Sequence, residues 1–107
     1  MLKTVLEPIW DNDLIMCPSQ CYCYFEADGQ KYCIYLRWRW DDPWTAQLVP
    51  VMQDGEFYSG PWEYLDVPDY IHDGYENLQK LCLRMISERF NNICWLQKPV
   101  VWYKVNC

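Results

Sequence analysis

The clearest pattern lies in the middle of the chain. Two runs, Cys21 to Ala27 and Gln30 to Trp40, alternate in side-chain character around Asp28-Gly29. Alternation with period two marks a strand whose two faces meet different surroundings. An Asp-Gly pair between such runs signals a two-residue type I′ hairpin. That turn sets Glu26 against Lys31, Phe25 against Tyr32, Cys23 against Ile34 and Cys21 against Leu36. One sheet face then carries Cys21, Cys23, Phe25, Tyr32, Ile34, Leu36, Trp38 and Trp40. A slip of one residue would destroy this segregation.

The pattern extends in both directions. Asp41-Asp42-Pro43 reads as a turn, with Pro43 ending ladder pairing. Setting Trp40 against Trp44 brings Trp38 to Ala46, Leu36 to Leu48 and Ile34 to Pro50, in a third strand from about Trp44 to Met52. A second Asp-Gly, Asp54-Gly55, sets Met52 against Phe57 in a short fourth strand that ends at Gly60-Pro61. Residues 62–73 fit no regular element. Beyond them Tyr75, Leu78, Leu81, Cys82, Met85 and Ile86 recur at helical spacing, which predicts a helix over 75–91. Asp73 is the expected N-cap, with Glu76 completing a capping box, and Asn91-Asn92 is the expected stop. Leu83 and Phe90 widen the apolar stripe, which calls for burial on two sides or for a partner on that flank. Ile93 to Leu96 and Val100 to Val105 read as strands. The first 20 residues are ambiguous, since Pro8 and Pro18 argue against one long helix. The expected fold is α+β: an antiparallel meander of about four or more strands packed on one helix in the C-terminal half.

Composition sets limits on this picture. With 107 residues, 51% of them hydrophobic and 18% aromatic, the chain suits one domain, 1–107, with an ample core. No apolar run is long enough to span a bilayer, and the start lacks the long apolar run of a secretory signal. A cytoplasmic location follows as the expectation, in a bacterium or a phage-infected cell. The seven cysteines are odd in number, and reduced thiols acting as small hydrophobes suit that compartment. Cys17-x3-Cys21-x-Cys23 lacks the paired C-x2-C spacing of zinc sites, so no metal and no cofactor is expected. The net charge of -6 disfavours direct binding to duplex nucleic acid.

Catalytic signatures are absent. His72, the one imidazole, stands among Asp69, Tyr70 and Asp73 with no nucleophile tied to it by any motif, and reads as a solvated loop residue. No phosphate loop, nucleophile elbow or H-E-x-x-H pair occurs. The expectation is therefore a non-enzymatic protein.

The sheet face opposite the core is the feature with binding chemistry. Alternation places Tyr22, Tyr24, Tyr35, Arg37 and Arg39 on it, joined by Tyr58 from the fourth strand. Tyrosine and arginine supply large rigid contact area and planar forks for carboxylates or phosphates. Two outcomes are open: this face is a recognition surface, or a terminal segment such as Val100 to Tyr103 covers it. In size, acidity and lack of motifs the chain resembles, as a type, the small accessory proteins of phages and mobile elements. That resemblance, carried by no single residue, implies an inhibitor or modulator of a larger protein. An anti-defence, anti-CRISPR-like factor blocking a nucleic-acid-handling effector is the leading expectation. The alternative is a nucleotide or oligonucleotide binder that uses the aromatic and arginine face for stacking and phosphate contacts.

Overall fold

A computed structural model describes residues 2–15, 17–39, 42–68 and 74–98. Its framework is the hairpin at Asp28-Gly29. Both turn residues adopt positive φ, 53° and 78°, as a type I′ turn requires. Strands β3 (Ser19–Ala27) and β4 (Gln30–Arg39) pair in the expected register, with Cys21 opposite Leu36, Cys23 opposite Ile34 and Phe25 opposite Tyr32. Glu26 does face Lys31 across the ladder. The Lys31 ammonium, however, donates to the Gln53 side-chain carbonyl at 2.9 Å.

Five further strands join this sheet among the described residues. They are β1 (Lys3–Val5), β2 (Trp10–Asp13), β5 (Asp42–Val51), β6 (Glu63–Leu65) and β7 (Cys94–Gln97). The described strands run in the order β1-β7-β3-β4-β5-β6, and every pairing is antiparallel. The outer edge of β3 is shared: β2 covers Gln20 to Cys23 and β7 covers Tyr24 to Glu26. The ambiguous N-terminal segment thus contributes two short strands. The strand expected at Ile93 to Leu96 is inserted between β1 and β3, whereas Val100 to Val105 lies outside the described residues.

Two registers differ from expectation. Between β4 and β5, Leu36 faces Ala46, Ile34 faces Leu48 and Tyr32 faces Pro50, two residues from the expected pairing. A shift of two leaves every side chain on its own face, so alternation is blind to it. The register also shifts between Arg37, opposite Thr45, and Arg39, opposite Asp42, so β5 bulges at Pro43 and Trp44. Pro43 therefore lies inside a strand, at a bulge that tolerates its missing N–H.

The second discrepancy is at Asp54-Gly55. Among described non-glycine residues only Asp28 and Asn92 take positive φ, so Asp54 does not, while Gly55 does at 95°. The loop is consequently three residues long. Gly55 N–H donates to Met52 O at 2.9 Å, and Met52 N–H to Glu56 O at 2.7 Å. Phe57 then faces Val51, in place of Met52, through an isolated bridge. The strand that flanks β5 comes later, at Glu63–Leu65, where no regular element was expected.

Helix α1 (Tyr75–Arg89) lies against one sheet face. Leu78, Cys82 and Ile86 recur every four residues and are fully buried. They share a core with Cys21, Cys23, Phe25, Ile34, Leu36 and Leu48, the face that alternation selects. Leu83 and Phe90 are half-buried against the same core, so the wide apolar stripe is met largely within the chain. The helix does not begin as expected. Gly74 is the N-cap, with no side-chain cap hydrogen bond, and Asp73 lies outside the described residues. Phe90 leaves the helix in extended conformation, and Asn92 takes the left-handed turn at φ 56°. Among the described residues no helix is long and apolar enough to cross a membrane.

Candidate binding surface

The opposite sheet face is a second, smaller core along much of its area. Tyr24, Cys33, Tyr35, Val49, Val51 and Leu96 point to it from four neighbouring strands. Leu2 from the N-terminal segment, with Phe57 and Trp62 from the β5–β6 connection, packs over them. Tyr24 is only 1% exposed and Tyr35 only 9%. Tyr22 is half-buried and stacks on Tyr35 with ring centroids 5.3 Å apart, while Trp62 meets Tyr35 edge-on at 6.3 Å. The Lys98 ammonium stands over the Tyr22 and Tyr24 rings at 6.0 and 5.7 Å. Burial raises the Tyr35 hydroxyl pKa, an effect the nearby Arg37 guanidinium partly offsets.

The expected six-residue surface is thereby divided. Tyr24 and Tyr35 are roofed over, so for these two the covered outcome holds, with Leu2, Phe57 and Trp62 as the cover. Sequence alternation finds the face but not what covers it, and Leu2, Phe57 and Trp62 lie outside the alternating runs. Tyr58 is 46% exposed, but it sits on the connection, outside any strand. Its carbonyl accepts a hydrogen bond from Trp62 Nε1 at 2.8 Å, which helps hold the roof.

Among the described residues, the cover does not reach the end of the sheet where β5 bulges against β4. Arg37, Arg39, Pro43, Thr45 and Tyr64 line a shallow hollow of about 280 Å³. The strands explain the grouping. Arg37 faces Thr45 across the ladder, and Tyr64 on β6 faces Gln47, two residues along from Thr45 on the same face. Tyr64 is 70% exposed. The Thr45 hydroxyl reaches Arg37 O at 3.5 Å. Arg37 Nε is buried with no hydrogen-bond acceptor among the described residues. Sequence reasoning missed Tyr64. Its strand has only three residues, too few to show a period, although Tyr64 out and Leu65 in is one step of alternation.

Other candidate chemistry is quieter. His72 lies outside the described residues. Cys17 and Cys94 are exposed, while Cys21, Cys23, Cys33 and Cys82 are buried free thiols. Burial pushes Cys21 up to about 11 and Cys23 and Cys82 up to about 12, which makes them poor nucleophiles. No cluster of three or more His, Cys, Asp or Glu that could hold a metal ion occurs among the described residues. A second hollow, of about 380 Å³, lies between β2 and α1. There Gln79 Nε2 donates to Asn12 Oδ1 at 2.8 Å, so the two amides partly satisfy each other. No known protein family, curated protein or solved structure matches this chain.

Proposed function

We propose that this chain is a non-enzymatic binding protein that inhibits or modulates a larger partner. The partner class we favour is a nucleic-acid-handling effector of the kind that phage anti-defence factors block. One observation carries the reading: two arginines and an exposed tyrosine gather at the open end of a sheet face that is otherwise roofed. Arginine and tyrosine are the residue types that dominate binding energy when they stand at the centre of an interface. The net charge of -6 supports the choice of partner, because an acidic surface complements a basic nucleic-acid channel and steers encounter with it. The nucleotide-binding reading, which rests on Tyr22, Tyr35, Arg37 and Arg39, loses support at Tyr35, whose ring is buried.

Affinity capture from a host lysate tests the proposal, with wild-type protein beside the double variant Arg37→Ala/Arg39→Ala. A partner held by wild type should bind the double variant at least tenfold more weakly, about 1.4 kcal/mol, at matched folded fraction. Equal capture by both proteins would show that the two arginines take no part in binding. A melting temperature raised by micromolar nucleotide, with no protein partner, would transfer the function to the nucleotide class.

A further inference from the structure

We propose that the hollow at the β4–β5 bulge is an oxyanion site, taking a phosphate or carboxylate group that projects from a ligand. The inference rests on the binding reading above and names the chemistry recognised at that same surface.

Arg37 lines the hollow, and its Nε–H is buried without an acceptor among the described residues. A buried donor on a charged group is costly to leave unpaired, and an anionic oxygen is its strongest partner. Arg39 lines the same hollow from two residues along the same strand, so a second arginine stands at its wall.

Size and field narrow the ligand. A volume of about 280 Å³ falls just below the usual range for whole-ligand pockets, roughly 300–1,000 Å³. It holds one oxyanion and the atoms that carry it. The chain as a whole is at -6, so its long-range field repels a polyanionic strand. Recognition must therefore come from short, directional hydrogen bonds to a single anionic group. The exposed Tyr64 ring supplies a wall for the carrier atoms. The bulge fits this role, since bulges bend a strand and re-aim its side chains beside sites.

The test is a nitrogen-15 NMR titration that follows the Arg37 and Arg39 Nε–Hε resonances. Inorganic phosphate and acetate are the two probes, each at constant ionic strength, with chloride as the control. The Arg37 Nε–Hε signal should move and saturate with at least one oxyanion and not with chloride. Saturation at lower phosphate than acetate assigns a phosphate group; the reverse order assigns a carboxylate. No saturable movement with either probe, or movement matched by chloride, overturns the site.

Arg37→Lys keeps the charge but removes Nε–H and the fork, and should weaken probe binding at least tenfold. Undiminished binding by that variant would refute the role given to the fork. Should Arg37→Lys fail to give a native amide spectrum, Arg39→Lys, at an exposed position, takes its place with the same expected direction. Loss of the titration alone, with arginine-dependent partner capture intact, would sink the oxyanion site and leave the binding proposal standing.

Discussion

The two faces of the sheet are built from the same strands and covered in different ways. On one face a helix of 15 residues lays Leu78, Cys82 and Ile86 across Cys21, Cys23, Phe25, Ile34 and Leu36. On the other, Leu2, Phe57 and Trp62 close over Tyr24, Tyr35, Val49 and Val51, and among the described residues the cover stops short of Arg37, Arg39 and Tyr64. A continuous cover suits a stabilising core. A partial roof leaves one end of a rigid sheet open, with side chains held in place by the buried part next to it. The helix face should therefore dominate stability, and the roofed face should govern which groups reach solvent.

The largest expected effect is alkaline unfolding of the helix-side core. The folded pKa values of Cys21, Cys23 and Cys82, about 11, 12 and 12, lie above the ordinary 9.0 because burial penalises the thiolate. The folded state thus holds protons that the unfolded chain releases. Stability should be fully retained below pH 9 and fall steadily as pH climbs towards 11–12. Urea titrations at stepped pH read this directly, and a flat profile from pH 8 to pH 11 would contradict the burial of these thiols.

A single truncation comes next. Ile34→Ala on the helix face should cost about 2–5 kcal/mol, since Ile34 is completely buried and its cavity cannot collapse easily. Trp62→Ala on the opposite face should cost less, about 1–3 kcal/mol, because Trp62 is only half-buried. It should also bring the Tyr35 hydroxyl pKa back towards its ordinary value by opening the roof. Equal losses from the two substitutions would erase the contrast between the faces.

The smallest effect belongs to a link between helix and sheet edge. Arg89 and Glu63 form a two-pronged ion pair, with Arg89 Nη2 to Glu63 Oε1 at 2.7 Å, and the side chains are 45% and 49% exposed. The guanidinium lowers the Glu63 pKa, so its contribution is present above the normal carboxylate range and lost as acid protonates the group. Solvent screening limits it, and Glu63→Gln should cost at most about 0.5 kcal/mol. A loss several times larger would mean that this edge contact holds the helix in place.

Much of this architecture is legible in residues 21–52, for a physical reason. Side-chain alternation reports burial, and a positive-φ turn at Asp28-Gly29 pins the register to the residue. Where no such turn acts, alternation leaves a two-residue ambiguity, and the β4–β5 pairing fell into it. Asp54-Gly55 carried the same dipeptide signal but formed a three-residue loop, because only its glycine entered the left-handed region. The candidate site was half legible. Arg37 and Arg39 follow from the strand period, whereas Tyr64 sits on a strand too short to show one. The roof was illegible because its residues come from the N-terminus and a connection, and join the face only through tertiary packing.

Which tyrosines of the second face reach solvent separates a roofed sheet from an open one. Brief nitration of the native protein, with each modified position mapped by mass spectrometry, measures this directly. Tyr58 and Tyr64 should react readily, Tyr22 slowly, and Tyr24 and Tyr35 only after unfolding. Modification of Tyr24 or Tyr35 at the rate of Tyr64 in folded protein would show an open aromatic face, and the binding surface would then extend across the whole sheet.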